Sequence, residues 1–318
     1  MKFHQPSFSF LIISIMLCLV SCADKEKTLK PAEGKIEVTG GEVWYRINGR
    51  GNKTPILLLH GGPGSSSYGF EPVKKLSNER PIVFYDQLGS GRSARITDTT
   101  LMTVERYIEE VEQVKKELDL EKVYLYGQSW GTALSLEYYL KYPDHVKGII
   151  FSSPYFSTKR WIKDANELVK TLPDSFQQVI RRNEKNKTFD NQEYKDAVSL
   201  FYSKFLRRKE RTAAQKDTAG KYFGTNVYEY MWGPSEFTAT GTLLNYDRID
   251  QLSKVEVPVL FLTGEYDEAR PETVKYYQDL VPNARFVEIS NSGHATLNDN
   301  PSEALEAVRS FLDSIETN

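Results

Sequence analysis

The stretch Tyr124-Leu-Tyr-Gly-Gln-Ser-Trp-Gly-Thr-Ala133 decides the fold of this 318-residue chain. An apolar run ends abruptly at Ser129, which has a glycine two positions away on either side, and a helical pattern follows. Glycines allow a chain to turn tightly without side-chain clashes. The context therefore predicts a strand, a strained turn and a helix, with the Ser129 hydroxyl held above a sheet as a nucleophile. The N-terminus of that helix would help to stabilise developing negative charge.

The rest of the chain supplies the sheet to which such a turn belongs. Short, continuous apolar runs suit strands that are buried on both faces of a parallel sheet. Helical patterns alternate with these runs, one capped by Thr103 and the last starting at Pro301. A hairpin is predicted over 35–47, and the strand runs cover 56–60, 82–85, 123–126, 148–151, 259–262 and 285–289. This alternation predicts a doubly wound, mostly parallel α/β sheet formed by residues 35–154 and 247–318.

One segment, residues 155–246, interrupts the alternation. Apolar strand runs are missing there, and charged, aromatic and helix-patterned sequence takes their place. The helical stretches cover 161–172, 175–182 and 191–208. We interpret the segment as a helical cap domain inserted into the sheet domain.

The N-terminus predicts an export signal followed by a lipid anchor. Residues 8–20 form an almost unbroken apolar run that is too short for a comfortable membrane span and is typical of a signal peptide. Leu19-Val-Ser-Cys22 resembles the lipobox of bacterial lipoproteins, in which cleavage precedes a cysteine that is then acylated. The resemblance implies a signal peptide over 1–21, an acylated Cys22 and a tether over 22–34. The protein is then expected in a bacterial cell envelope, anchored to a membrane and either periplasmic or surface-exposed.

Composition excludes several classes of function. The formal net charge is −2 and no block of basic residues occurs, so no nucleic-acid partner is expected. Both cysteines, Cys18 and Cys22, lie in the signal region, which leaves the mature domain without a disulfide. The scattered histidines do not have metal-ligand spacing, and neither a metal nor a cofactor is expected.

A nucleophilic serine needs a base, and three histidines lie outside the signal region. In hydrolases with this turn the chain order is serine, acid, histidine. His60 precedes the serine, and His145 lies in a helix-to-strand connection where a surface or capping role is expected. His294 follows the last predicted strand and fits the order, so we predict that it is the base.

The acid is expected after the strand that precedes the His294 strand. Three carboxylates, Glu265, Asp267 and Glu268, compete there for the role of orienting the imidazole. The oxyanion needs two backbone N–H donors. We predict those of Trp130, directly after the nucleophile, and Gly62, since Pro63 has no N–H to donate.

Four motifs together resemble the proline iminopeptidase family of α/β-hydrolases. The resemblance covers residues 34–318 and is closest to the branch with the archaeal tricorn-associated aminopeptidases. It implies an α/β-hydrolase fold with an inserted cap, and it identifies Asp267 as the acid of the triad. The motifs are His60-Gly-Gly-Pro-Gly64, Asp86-Gln-Leu-Gly-Ser-Gly-Arg-Ser93, Gly127-Gln-Ser-Trp-Gly131 and Gly264-Glu-Tyr-Asp267.

The same resemblance implies how the substrate is recognised. A cap segment similar to Gly233-Pro-Ser-Glu236-Phe-Thr-Ala-Thr-Gly241 supplies a glutamate for the free amino terminus in that branch, and a second glutamate follows the catalytic aspartate. The matching residues are Glu236 and Glu268. Carboxylates with little water around them bind an ammonium group by charge-assisted hydrogen bonds and reject peptide segments that lack this charge.

These features predict a serine aminopeptidase that releases an N-terminal proline or another apolar residue from short peptides. An esterase or acylamide hydrolase with the same triad is the alternative, and a non-catalytic binding protein on this fold is a third. The family also implies an aromatic pocket for the N-terminal residue. The candidates are Trp130, Tyr155, Phe156, Trp161, Tyr230 and Trp232.

Overall fold

A single eight-stranded sheet organises the chain in the computed structural model, which describes residues 1–3 and 28–317. The strand order is β1-β2-β4-β3-β5-β6-β7-β8. β1 and β2 form an antiparallel hairpin, β2 pairs antiparallel with β4, and all later pairings are parallel. The strands are β1 (Ala32–Val38), β2 (Gly41–Asn48), β3 (Ile56–Leu59), β4 (Ile82–Tyr85), β5 (Val123–Gln128), β6 (Val146–Ser152), β7 (Val259–Gly264) and β8 (Ala284–Ile289).

Helices cover both faces of this sheet, because its central strands are apolar on both sides. One face packs against α1, α2 and α8, and the other against α10 and a 3₁₀ segment, Ser67–Asn78. Thr103 caps α1 by accepting a hydrogen bond from the Arg106 N–H, as predicted. These helices are α1 (Val104–Glu117), α2 (Trp130–Lys141), α8 (Pro271–Asp279), a short α9 (Thr296–Asp299) and α10 (Pro301–Glu316).

Between β6 and β7 the chain forms a helical layer. Its helices are α3 (Thr158–Val169), α4 (Asp174–Asn186), α5 (Gln192–Phe201), α6 (Ala213–Tyr222) and α7 (Thr225–Met231). Residues of α3, α4, α5 and the Phe237 region bury a core of their own. The start of the segment is not a sharp boundary, since Tyr155 and Phe156 pack into the core of the sheet domain.

The predicted α/β-hydrolase architecture is therefore present, with one difference at its start. The first strand begins at Ala32, inside the stretch predicted as a tether, because residues 32–34 pair with residues 45–47 of β2. The predicted signal peptide, Cys22 and most of the tether lie outside the described residues. Among the helices of residues 1–3 and 28–317, none combines the length and apolar character needed to cross a bilayer.

Candidate active site

Ser129 lies in the sharp turn between β5 and α2, as the sequence predicts. Its backbone has φ 55° and ψ −124°, a strained conformation for a residue with a Cβ. Both flanking glycines are required by close backbone contacts: a Cβ on Gly131 would lie 1.9 Å from the carbonyl oxygen of Leu59, and one on Gly127 would lie 2.3 Å from that of Gly131. The turn holds Ser129 at the wall of a cavity. No residue in the described part of the chain forms a hydrogen bond with its hydroxyl.

His294 and Asp267 are brought together at the same edge of the sheet. Nδ1 of His294 lies 2.8 Å from Oδ1 of Asp267, and both side chains are buried. His294 also lines the cavity that Ser129 faces. Of the competing acids, Glu265 points to solvent and accepts a hydrogen bond from the Asn291 N–H.

The Asp267 carboxylate is held by several donors besides His294. Oδ1 accepts a 2.8 Å bond from the Ala269 N–H. Oδ2 accepts bonds from the Ser153 hydroxyl at 2.6 Å, the Thr263 hydroxyl and the Gly264 N–H. These donors fix the carboxylate in one orientation toward the imidazole. Ser153 was not anticipated from the sequence, which carries no signal for it.

The loop that carries His294 is clamped by the cap. The N–H groups of His294 and Ala295 donate to the carbonyls of Phe205 and Leu206, each at 2.9 Å. A Cβ on Gly293 would lie 2.6 Å from the Phe205 carbonyl oxygen, so only glycine allows this approach. The segment 205–206 therefore positions the histidine loop by backbone contacts.

The predicted oxyanion donors lie on either side of Ser129. Gly62 has φ +113° and precedes Pro63 through a cis peptide bond, and both residues line a small hollow together with Ser129 and Trp130. Trp130 is the first residue of α2, so its N–H has no carbonyl partner within the helix. Both residues line the same hollow as Ser129, which suits the role predicted for their N–H groups.

Gln87 connects Trp130 with His60, the residue that precedes the Gly61-Gly62 loop. The sequence did not predict this role, although Gln87 lies in one of the four family motifs. Its side-chain oxygen accepts a 3.0 Å bond from the Trp130 indole, and its side-chain N–H₂ donates to the His60 carbonyl at 2.8 Å. Its backbone N–H donates to Nε2 of His60 at 2.9 Å. Burial lowers the pKa of His60, whose Nδ1 lies 3.0 Å from the Gly61 carbonyl. His60 is therefore a neutral, structural residue.

His145 is remote from this cluster. It is half-buried, and its Nδ1 lies 3.2 Å from both the Tyr138 hydroxyl and a Glu112 carboxylate oxygen. The surface role predicted for it agrees with this position.

Glu236 reaches the cavity from the cap. It lines both the cavity and the adjoining hollow, and its Oε1 accepts a 2.8 Å bond from the Tyr228 hydroxyl. Burial raises the pKa of the Glu236 carboxyl, while His294 and the Tyr228 bond act in the opposite direction. Trp161 links this residue to the histidine, since its indole donates to the Glu236 carbonyl and its ring lies edge-on, 5.5 Å from that of His294.

Glu268, the second predicted amine-binding acid, lies behind the cavity wall and lines neither part of the cavity. It is fully buried, and neither of its carboxylate oxygens has a hydrogen-bond partner among the described residues. Its Oε1 lies 3.8 Å from Nδ1 of His294. Burial, followed by the negative charges of Glu236 and Asp267, raises the pKa of Glu268 well above its ordinary value. Such an unsatisfied buried carboxyl costs stability, which is typical of a group retained for function.

The cavity has two parts that meet at Ser129. The larger one has a volume of about 720 Å³, and the smaller hollow, of about 10 Å³, is walled by aromatic rings. The prediction that Phe156 lines the pocket is wrong, because its ring packs against Phe151, Phe261 and Tyr277 inside the core. The same prediction for Tyr230 is wrong, because this side chain is exposed and lines neither part of the cavity. The aromatics that do line the hollow are Trp130, Tyr155, Trp161 and Trp232.

Comparison with known proteins agrees with this site. The sequence profile of the family described as alpha/beta hydrolase fold matches residues 54–301. A proline iminopeptidase of Heyndrickxia coagulans is 41% identical over 286 residues, which cover 89% of this chain and 99% of that protein. The chain belongs to the proline iminopeptidase family of α/β-hydrolases. It is thus a serine hydrolase of the proline iminopeptidase kind, and these relatives support an aminopeptidase activity.

A second proline iminopeptidase sequence and two solved structures are also similar to this chain. The proline iminopeptidase of Saccharolobus solfataricus is 34% identical over 295 residues, covering 92% of this chain and 95% of that one. The crystal structure of the proline iminopeptidase of Mycobacterium smegmatis superposes with a TM-score of 0.82 at 28% identity, covering 90% and 99% of the two chains. VinJ superposes with a TM-score of 0.85 at 31% identity, covering 90% and 100%.

Proposed function

We propose that this protein is a serine aminopeptidase that releases a compact apolar N-terminal residue, such as proline or alanine, from short peptides. The observation that carries the proposal is the pair of acids, half-buried Glu236 at the cavity wall and fully buried Glu268, beside the His294–Asp267 pair. An enzyme that acts on simple esters has no use for two such acids beside its cavity. A free α-ammonium group would pair with Glu236, and its positive charge would favour the ionised form of Glu268.

In the proposed acylation step Ser129 attacks the carbonyl of the N-terminal residue. His294 takes the hydroxyl proton as Ser129 Oγ bonds to the carbonyl carbon, and Asp267 stabilises the imidazolium through the 2.8 Å bond to Nδ1. The N–H groups of Gly62 and Trp130 donate to the oxyanion, and each such donor is typically worth about 3–4 kcal/mol in the transition state. The C–N bond then breaks, and the leaving amine takes the proton from His294.

Deacylation repeats these roles with water as the nucleophile. His294 removes a proton from the water, whose oxygen attacks the acyl carbon, and Ser129 leaves with the proton that His294 returns. The products are the free N-terminal amino acid and the shortened peptide. No metal or cofactor is needed in this sequence of steps.

Substrate recognition in this proposal uses the carboxyls and the aromatic hollow. Glu236, at the cavity wall, accepts the ammonium group directly. Glu268 lies behind the wall with a raised pKa, and the positive charge of the ammonium group would favour its ionisation. The side chain of the N-terminal residue would lie at the mouth of the hollow, against the aromatic wall formed by Tyr155, Trp161 and Trp232. Because this hollow is narrow, we expect proline and alanine to be preferred over leucine and phenylalanine.

A lipid anchor at Cys22 remains a separate proposal, supported by the lipobox-like Leu19-Val-Ser-Cys22. Expression of the full chain and of Cys22→Ser in a bacterium, followed by membrane fractionation, tests it. The wild type is expected in the membrane fraction and the variant outside it. Equal distribution of both would reject the anchor.

The main test compares chromogenic Pro-, Ala- and Leu-amides with their N-acetylated forms and with a short-chain ester, using protein that begins at Ala23. Cleavage of the free-amine amides but not of the acetylated ones supports the aminopeptidase. Cleavage of esters alone, or indifference to acetylation, would instead favour the esterase or acylamide hydrolase.

A further inference from the structure

The larger part of the cavity carries a segregated set of charges. Its acidic lining residues, Glu229 and Glu236, come from α7 and the loop that follows it. Its basic lining residues come from the segment 207–216 and are Arg207, Arg211 and Lys216. The acids and bases therefore reach the cavity from different segments of the cap.

Two of these cations have no partner. Lys216 forms an ion pair with Glu210 at 2.9 Å, but no ion pair or hydrogen bond with a residue in 1–3 or 28–317 engages the guanidinium of Arg207 or Arg211. Burial, followed by the positive charge of Arg211, lowers the pKa of Arg207 to about 10. Burial also lowers the pKa of Arg211. Keeping two partly desolvated cations close together without a counter-ion costs free energy.

The carboxylate whose charge acts on Arg207 already accepts hydrogen bonds from other groups. Asp299 accepts hydrogen bonds from the backbone N–H groups of Arg208, Lys209 and Gly293, at 2.9–3.0 Å. Its charge acts on Arg207 at longer range without pairing with it. The arginines therefore keep their hydrogen-bonding capacity for a ligand.

The position of Arg207 tells which part of a substrate it would meet. The residue before it, Leu206, accepts the backbone bond from Ala295, and Phe205 accepts that from His294. Arg207 is thus anchored beside the histidine loop. In acyl transfer by this mechanism the histidine protonates the leaving amine, so the leaving peptide must lie on the histidine side.

We propose that Arg207 and Arg211 form a subsite for a carboxylate of the leaving peptide, which in di- and tripeptides is its C-terminal carboxylate. This inference rests on the proposed aminopeptidase function. Guanidinium groups match carboxylates with bidentate, charge-assisted hydrogen bonds. A cavity of about 720 Å³ has the size of a small-ligand site. Short peptides would be held at both ends, the ammonium on Glu236 and the carboxylate on the arginines.

The test measures kcat/KM for alanine release from Ala-Ala-Ala, its C-terminal amide and the amide Ala-Asp-Ala-NH₂. Wild type is expected to prefer the free acid over the Ala-Ala-Ala amide by about 10-fold, mainly through KM. Arg207→Gln and Arg211→Gln should each shrink this ratio toward one while leaving the amide rate nearly unchanged. Arg208→Gln is the matched control, because Arg208 adjoins the subsite but packs on the Tyr266 ring and does not line the cavity.

Equal rates on the acid and both amides in wild type would overturn the subsite and leave the aminopeptidase intact. An equal loss of the preference for the free acid in Arg208→Gln would also overturn the subsite. The overall positive charge of this segment, rather than a specific site, would then explain the preference. A preference only for Ala-Asp-Ala-NH₂ would support the carboxylate site and assign it to acidic side chains. Failure of wild type on all three peptides and on their counterparts with an N-terminal proline would reject the proposed function itself.

Discussion

Nδ1 of His294 lies 2.8 Å from Oδ1 of Asp267 and 3.8 Å from Oε1 of Glu268, the next residue in the chain. The two acids differ in their surroundings. Asp267 accepts hydrogen bonds from several donors, whereas the oxygens of Glu268 have none among the described residues. One site thus holds a buried carboxylate whose oxygens accept several hydrogen bonds and a second buried carboxyl that lacks them and whose pKa burial raises. Such a difference in surroundings is typical of acids with different roles.

Asp267→Asn should lower kcat by about 10³–10⁴-fold. If the asparagine oxygen faces His294, its N–H₂ group faces the Thr263 hydroxyl and the Gly264 N–H, which are themselves donors. If the N–H₂ group faces His294 instead, it favours the wrong imidazole tautomer. We also expect a loss of about 1–3 kcal/mol in the free energy of unfolding. Steady-state kinetics and urea unfolding check both effects. Glu265→Gln is the control and should keep its activity. An inactive Glu265→Gln together with an active Asp267→Asn would mean that Glu265 is the acid that orients His294.

Ser129→Ala and Ser129→Gly should both lack turnover, but Ser129→Gly should be the more stable. The φ of 55° strains any residue with a Cβ, and glycine relieves this strain at an entropic cost of its own. The net difference is expected to be about 1 kcal/mol, or about 2 °C in Tm for a chain of this size. Thermal unfolding of the purified variants measures it. A less stable Ser129→Gly would mean that the turn is not strained.

Glu236→Gln should discriminate between substrates rather than abolish chemistry. We expect kcat/KM on free-amine amides to fall by about 100-fold or more, because one partner of a charge-assisted bond is lost. The rate on a short-chain ester should change by less than about 3-fold, since the ester makes no ammonium contact. Losses of equal size on both substrates would remove Glu236 from amine recognition.

Glu268→Gln should stabilise the protein more at high pH than at low pH. The folded state holds the Glu268 proton more tightly than the unfolded state, whose pKa is near the ordinary 4.5. Wild-type stability from this group is therefore present below pH 4.5 and lost as the pH rises through the folded-state pKa. The glutamine variant has no such proton, so its advantage should widen over that interval.

Urea unfolding of wild type and Glu268→Gln at several pH values from 4.5 to 8 measures this gap. Glu265 is a useful contrast, since the Asn291 N–H lowers its pKa. Its contribution to stability is lost only as the pH falls below the ordinary 4.5, so the gap between wild type and Glu265→Gln should stay nearly constant from pH 4.5 to 8. A gap between wild type and Glu268→Gln that does not vary with pH would show that Glu268 titrates as in the unfolded chain.

Gln87→Leu should lower kcat while KM changes little. The substitution removes the bonds to the Trp130 indole and to the carbonyl of His60, which lies at the start of the loop that carries Gly62, the other proposed oxyanion donor. Because a misplaced oxyanion donor costs up to about 10²-fold in rate, we expect a loss between 10- and 100-fold. Gln87→Glu keeps the bond to Trp130 but cannot donate to His60, and should fall between wild type and Gln87→Leu. A KM effect without loss of kcat would contradict this positioning role.

The sheet and the nucleophile turn could be predicted because both depend on local patterns. Strand runs, the cap at Thr103 and the two glycines around Ser129 each act within a few residues. The chain order of serine, acid and histidine likewise restricts the base to His294. Choosing Asp267 over its neighbours required the family resemblance, since three adjacent acids have the same local pattern.

The sequence by itself therefore determined the fold class and predicted Ser129 and His294 as nucleophile and base, whereas the tertiary structure decided which other side chains lie beside them. Phe156 and Trp161 are close in sequence and equally aromatic, yet one packs in the core and the other faces His294. The roles of Gln87, Ser153, Arg207 and the buried Glu268 also follow from segments far apart in sequence. Secondary-structure propensity depends on residues a few positions apart in sequence. Desolvation and charge pairing instead depend on distances between side chains, and these distances are set by the packing of the folded chain.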